Sequence, residues 1–325
     1  MRKGNNFPFQ SYLLLTVMVG LAVSCCFLPE ASRDVSAGIV SLPWLSGLSA
    51  MLVLAAVAVS MGLLNYSSFL FTSDVRRLYL PYLITVLSIP GVTSFGWFHI
   101  AALLTVWAMF FAAGYVTSEK VRMDYAFGAA VMSGSASIMV PSMVYVEIFI
   151  FLYCLYVRSQ HYIRYLLAFL AGAALPWLYA FVLGFVFPDS VSPADCVENL
   201  RQGMRLAFPT TDGLGTVAVV WYIFILVFAF RSAIFVLFNG RDRKKAQKNA
   251  FGFSVALSLI FLLAAIFCQG LGTPLFMMVA AVPVSFVTFD FLTNGRRGEV
   301  SLWITLLILL AVGGRVLDFL PGVQF

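Results

Sequence analysis

The sequence contains little charge. Only 10% of its 325 residues are charged and 62% are apolar, whereas a soluble domain carries about 25% charged residues. This composition excludes a soluble globular fold and predicts a polytopic membrane protein. No segment between the apolar runs approaches the roughly 50 residues that a folded domain needs. We therefore expect residues 1–325 to form a single integral membrane domain.

Histidine and cysteine are also scarce, with two and five residues in the whole chain. Their number and spacing exclude a multi-histidine metal centre and give no disulfide framework. The sequence has no glycine-rich phosphate-binding loop, so we expect neither a metal nor a cofactor. The net charge of +6 comes from short loops between apolar runs, where it reports topology and indicates no nucleic-acid partner.

Long apolar runs dominate what remains. A membrane-spanning helix needs about 20 apolar residues, and windows of that length predict an all-α transmembrane helix bundle of about 11 spans (10–11). The predicted spans are 11–28, 44–64, 78–90, 98–116, 125–140, 142–157, 165–187, 214–238, 250–268, 275–293 and 300–320. The run at 78–90 is short, and two runs meet at Pro141 without a charged loop. Each of these is either a full span or a re-entrant segment enclosed by protein.

The basic residues predict the orientation of the spans. Lysine and arginine concentrate in cytoplasmic loops, and an N-in/C-out arrangement puts most of the 20 basic residues on that side. Those left outside are Arg33, Arg201, Arg205 and Arg315. We expect the cytoplasmic loop 241–248 to contact anionic lipids. The chain is thus predicted to be a multi-pass protein of the bacterial inner (cytoplasmic) membrane, although residues 22–25 also resemble the end of a lipoprotein signal.

The outer connection 188–213 is the longest and most polar. Ser192, Pro193 and Asp195 form a helix-start signal. Apolar residues then recur at helical spacing at Val197, Leu200, Met204 and Phe208. The pattern predicts a short amphipathic helix lying flat on the outer membrane surface. Its other face carries Arg201 and Arg205, which could bind a lipid phosphate or pyrophosphate; alternatively, Arg201 pairs with Glu198 or Asp195 on an ordinary surface helix.

Two acidic residues follow the first predicted span. Glu30 and Asp34 lie in the first outer loop, where a hydrated carboxylate could act as a general base for a hydroxyl acceptor. The alternative is a solvated turn in which Glu30 pairs with Arg33.

Charged residues inside the apolar runs are few. A charge at the bilayer centre costs about 2.5–3.5 kcal/mol or more, so each one is a candidate site. Glu147, six residues past Pro141, is the best intramembrane candidate, either as a functional group or as a protonated core residue. Arg315 and Asp318 stand three apart in the last span, a spacing that allows an intrahelical pair. Asp290 lies near an inner end, within reach of Arg296 or Arg297.

Two stretches resemble known families. Residues 126–187 combine a helix of small residues, a proline-bounded pair of apolar runs, a basic connector and a glycine-rich run with Leu175, Pro176 and Trp177. This order resembles the middle of membrane glycosyltransferases of the GT-C type. Together with the upstream segment 75–91, it resembles more closely a family of polytopic inner-membrane proteins of Bacteroidota, which implies no particular activity.

The GT-C resemblance implies sugar transfer from a polyprenyl-phosphate donor at the outer face, with an acidic residue of the first outer loop as base. Glu30 or Asp34 occupies that place. The chain departs from the family in the length of this loop, which is short here and usually long there. A non-catalytic relative would fit the same features.

Three functions follow from these features. The favoured hypothesis is an envelope protein that handles a polyprenyl-phosphate-linked glycan or lipid at the outer face, as a glycosyltransferase-like enzyme or without catalysis. The second is a non-catalytic scaffold or subunit that packs against other membrane proteins. The third is a small-solute transporter that uses Glu147 as its coupling group.

Overall fold

The computed structural model describes residues 16–20, 43–68, 79–89, 92, 95–118, 122–158, 161–186, 193–203, 216–239, 245–267 and 276–318. This part of the chain is helical apart from turns and connections and contains no strand, which confirms the all-α class for it. Residues 16–20 form a short helical stretch. The helices after it are α1 (Pro43–Ser68), α2 (Tyr79–Leu87), α3 (Trp97–Thr117), α4 (Met123–Met139), α5 (Val144–Val157), α6 (Tyr162–Val186), α7 (Pro193–Gly203), α8 (Thr216–Phe238), α9 (Lys245–Phe267), α10 (Phe276–Asn294) and α11 (Arg297–Asp318).

Six of the described helices are long and apolar enough to cross a bilayer: α1, α3, α6, α8, α9 and α10. The protein is therefore a membrane protein whose helices contact lipid. The predicted run at 78–90 yields α2, which has only nine residues and is about 14 Å long, less than half the hydrocarbon thickness of about 30 Å. The runs around Pro141 and at 300–320 are helical but fall outside the six. The total span count and the N-in/C-out orientation stay predictions.

The central helix of the described bundle is α10. In its most apolar 18-residue stretch, 94% of the residues are buried, because α2, α3, α8 and α9 pack around it. Aromatic rings fill these contacts near both of its ends, where Phe276 meets Phe98 and Phe291 meets Phe235. α6 is the least buried of the six, with 17% of the residues in its most apolar stretch buried. Its exposed leucine, phenylalanine and tyrosine side chains therefore face the lipid.

The two apolar runs that meet at Pro141 form a helical hairpin. Pro141 opens a 3₁₀ turn, Pro141–Met143, between α4 and α5, at a position where its missing N–H leaves no hydrogen bond unmade. At the far end of α5, the Arg158 guanidinium donates a hydrogen bond to the Ser118 carbonyl oxygen, just before α4 begins. Both open ends of the hairpin therefore lie together. Its arms of 17 and 14 residues are about 25 and 21 Å long.

α6 lies closely against α4. A Cβ added to Gly172 would stand 2.6 Å from the Phe127 carbonyl oxygen and 2.9 Å from the Ala130 Cβ, so only glycine fits there. Further along both helices, Gly134 of α4 faces Pro176 of α6. The two helices therefore run in the same direction, in contact through small residues, as is common between membrane helices.

Basic side chains gather at one end of the bundle. Tyr153 Oη donates a hydrogen bond to the Asn249 carbonyl oxygen, which brings the start of α9, with Lys245 and Lys248, to the Arg158 end. α7 lies at the opposite end, packed against the 3₁₀ turn and against α4 and α6. Spans that alternate in direction, with their basic loops on one side, produce this arrangement. Below, the two ends of the bundle are called the basic end and the α7 end.

Candidate functional site

Part of the site predicted from the sequence lies outside the described residues. This holds for Glu30, Asp34 and Arg205, whose roles stay predictions. Arg315 and Asp318 belong to the last turns of α11, but their side chains are not described either. The two remaining candidates, Glu147 and Arg201, both lie toward the α7 end.

α7 presents Arg201 at this end of the bundle. The helix starts at Pro193, as the helix-start signal predicted, and runs to Gly203. Val197 is 49% exposed, so the protein leaves part of the apolar side uncovered, as a helix lying in a membrane interface requires. The Arg201 side chain is 73% exposed, and its Nη1 is 3.8 Å from Glu198 Oε2. This ion pair is the alternative that the sequence offered for Arg201; the separation is too long for a hydrogen bond, and the arginine side chain stays accessible.

Glu147 lies on the second arm of the hairpin, about 9 Å along the helix from Pro141. Its carboxyl group is partly buried where α4, α5 and α6 meet. Glu147 Oε1 and the Ala173 carbonyl oxygen are each 3.4 Å from the point where a Cβ on Gly134 would stand. The Ser137 hydroxyl of α4 lies within reach of the carboxyl group. The site thus brings one acid, one hydroxyl and one backbone carbonyl around a position that has no side chain.

Pro176 loosens α6 beside this carboxyl group. Proline has no N–H, so the carbonyl oxygen four residues earlier loses its helical partner. An open apolar groove of about 600 Å³ runs along the same part of α6. Its lining residues are Leu170, Ala173, Ala174, Trp177, Leu178, Phe181 and Val182. Ala173 belongs both to the groove and, through its carbonyl, to the surroundings of Glu147.

An ion pair between α8 and α11 was not identified from the sequence. Arg231 Nε lies 2.6 Å from Glu299 Oε1, and Arg231 Nη2 donates to Glu299 Oε2 at 2.9 Å, so the pair is bidentate. The guanidinium carbon also lies 5.3 Å from the centre of the Phe291 ring. From the sequence alone, Arg231 is one of the basic residues assigned to the cytoplasmic side. An arginine inside an apolar run needs a carboxylate partner, and that signal would have directed attention to Glu299.

Two further polar side chains have local roles. Asp290, which the sequence placed within reach of Arg296 or Arg297, accepts a hydrogen bond from Asn294 Nδ2 at 3.1 Å, one helical turn away. His99 is fully buried at the start of α3. Its Nδ1 accepts the Gly96 N–H at 3.3 Å, and its Nε2 lies 2.9 Å from the Val92 carbonyl oxygen. Because Nδ1 accepts, the hydrogen sits on Nε2, and the neutral ring ties the preceding segment to the helix.

No protein-family model, curated protein or solved structure matches this chain. A function must therefore be argued from the chemistry of the site.

Proposed function

We propose that the protein handles a phosphate-headed polyprenyl lipid, or a glycan linked to it, at the α7 end of the bundle. One observation carries the proposal. α7, which bears the exposed Arg201, packs against α4 and α6 at the turn of the hairpin, and an apolar groove runs along the same helix α6. An exposed arginine on α7 and an apolar groove on the adjoining helix together match a ligand with an anionic head and a hydrocarbon tail.

The groove supports the tail of this ligand. Its side chains are apolar, and Trp177, Phe181 and Leu178 offer broad contact surfaces at low conformational cost. The groove is open along the exposed side of α6, so a long chain can enter from the bilayer without the protein opening. Burial of hydrocarbon contributes about 0.8 kcal/mol for each methylene group that leaves water, but a tail that moves from lipid into the groove gains only tighter packing.

The headgroup must therefore provide most of the specificity. Arginine offers paired N–H donors that match two phosphate oxygens, and most of the Arg201 side chain is exposed. Arg205, four residues further along the sequence, is the second proposed phosphate ligand. If the protein transfers a sugar, Glu30 or Asp34 is the proposed base; without such a base the same site binds or presents the lipid and does not catalyse.

Binding of undecaprenyl phosphate to the protein in nanodiscs tests the proposal, with undecaprenol as the ligand that lacks the phosphate. We expect the phosphate to bind at least about tenfold more tightly, since one charge-assisted hydrogen bond contributes about 1.5–3 kcal/mol. Arg201→Ala combined with Arg205→Ala should remove this preference. Ala174→Phe, which fills the groove, should weaken both ligands.

Lys245→Ala combined with Lys248→Ala is the matched control, because it removes two positive charges at the basic end. This control should bind like the wild-type protein. Equal affinity for the phosphate and the alcohol, or wild-type affinity in the arginine double variant, would contradict the proposal.

A further inference from the structure

Glu147 is a carboxyl group without a cation. The ion pairs among the described residues join Arg122 with Asp124, Arg201 with Glu198, and Arg231 with Glu299, and none includes Glu147. An ionised carboxylate away from water costs several kcal/mol unless a positive charge or several donors compensate it.

The helices around α5 do not provide that charge. The helices packed against it are α3, α4, α6 and α9, and their charged residues are Asp124, Arg164, Lys245 and Lys248. All four stand in the first turns of their helices at the basic end, whereas Glu147 lies toward the α7 end. The histidine of α3, His99, has both ring nitrogens bound to its own segment. Among the described residues, the Ser137 hydroxyl and the Ala173 carbonyl lie near Glu147. α7, which packs against the adjacent 3₁₀ turn, carries Arg201 and Glu198, and these two form an ion pair with each other.

The hydrogen bond of Ser137 indicates which partner provides the hydrogen. The Ser137 hydroxyl donates to the Gly134 carbonyl oxygen at 2.8 Å, and a hydroxyl has one hydrogen to donate. A protonated Glu147 can donate to the Ser137 oxygen while Ser137 keeps this bond, whereas an ionised Glu147 would take the Ser137 hydrogen away from the Gly134 carbonyl oxygen. The resulting chain runs from Glu147 to Ser137 and on to the Gly134 carbonyl oxygen, and each hydroxyl donates once.

Gly134 provides the room for this chain. A Cβ at that position would be in contact with both Glu147 Oε1 and the Ala173 carbonyl oxygen, at 3.4 Å from each. Two oxygen atoms with partial negative charge thus face the same small space.

We propose that Glu147 is a proton-binding site: it is a neutral carboxylic acid at neutral pH and releases its proton to water only when water reaches the turn of the hairpin. Release breaks the O–H bond of the carboxyl group, leaves a carboxylate and passes the proton to water. Ser137 can then turn its hydrogen from the Gly134 carbonyl oxygen to the carboxylate. The ligand of this site is the proton, and the inference does not depend on lipid binding at α7.

Dicyclohexylcarbodiimide tests the inference, because this apolar reagent adds to protonated carboxyl groups that are accessible from lipid. In proteoliposomes at neutral pH, we expect mass spectrometry to find the adduct on Glu147, with labelling that declines as the pH is raised. The exposed Glu198 should instead react with a water-soluble carbodiimide and an added amine. Absence of the adduct on Glu147 across the pH range, with intact protein, would overturn the inference.

Infrared spectroscopy provides a second measurement that does not depend on access of the reagent. The C=O stretch of a protonated carboxylic acid should be present at neutral pH, and it should be lost in Glu147→Gln and kept in Glu198→Gln. Glu147→Gln should fold with wild-type stability, because its amide can donate the same hydrogen bond to Ser137. A wild-type spectrum without this band, or with a band that persists in Glu147→Gln, would show that Glu147 is ionised.

Discussion

Each charged side chain within the described apolar helices compensates for the loss of water in its own way. Arg231 and Glu299 neutralise each other through two parallel hydrogen bonds. Asp290 accepts a hydrogen bond from Asn294 one turn away. Glu147 is in none of the ion pairs among the described residues, which is why we infer that it keeps its proton. Among these residues, Glu147 is the one that we infer to be neutral and able to ionise. It lies at the end of the bundle where we propose that the ligand binds.

The Arg231–Glu299 pair should show strong energetic coupling. Both side chains are about one third exposed, so water screens part of the attraction, and we expect Glu299→Gln or Arg231→Met to cost about 1–2 kcal/mol each. The double variant should cost less than the sum, because neither charge is then left alone. Thermal unfolding of the four proteins in detergent measures the coupling. Costs that simply add would mean that the contact contributes nothing.

At the scale of elements, close packing of α4 against α6 depends on one glycine. Gly172→Ala places a methyl group 2.6 Å from the Phe127 carbonyl oxygen, and backbone cannot move aside as a side chain end can. We expect a loss of about 1–3 kcal/mol and a lower Tm.

Gly62→Ala in α1 is the matched control, since nothing lies within 4 Å of the added methyl group. Alanine also favours a helix over glycine, so this control should keep or raise the Tm. A Gly172→Ala protein as stable as the control would mean that the two helices are not in such close contact.

The sequence predicted a helix well where a single local feature, such as a proline at its start or one long apolar run, determines it. Pro193 marked the start of α7, and the apolar run at 98–116 became α3 (Trp97–Thr117). Hydropathy could not decide the region around Pro141, because a broken span and a hairpin have the same composition. The structure shows a hairpin, in which Arg158 of α5 contacts Ser118 forty positions earlier; whether its arms span the membrane or are re-entrant stays a prediction.

The sequence did not predict which residues of different helices contact each other at the site. Glu147 was identified because charge is rare in lipid, but its partner Ser137 lies across the hairpin turn. Arg231 and Glu299 are separated by 68 positions. Such pairs depend on which faces of the helices meet, and the helices here are apolar on all sides, so periodicity does not identify the buried face.

For the whole molecule, hydropathy predicts membrane insertion but not the position of a helix within the bundle. α6 and α10 are similarly hydrophobic, with mean hydropathy of 2.1 and 1.8 over their most apolar stretches, yet 17% of one and 94% of the other is buried. The central position of α10 follows from its contacts with four neighbours. The positions of basic residues were more informative, since most of the described ones gather at the end away from α7, while Arg201 lies on α7 itself.

The account requires α7 to face the outside of the cell and the basic end to face the cytoplasm. Single cysteines at Asn199 in α7 and at Lys248 in α9, each in a background whose five native cysteines are replaced by serine, can be labelled in intact spheroplasts with a membrane-impermeant maleimide. We predict that the cysteine at position 199 reacts in intact spheroplasts and that the one at 248 reacts only after the membrane is permeabilised. Reaction at 248 alone in intact spheroplasts would place α7 in the cytoplasm and contradict the account.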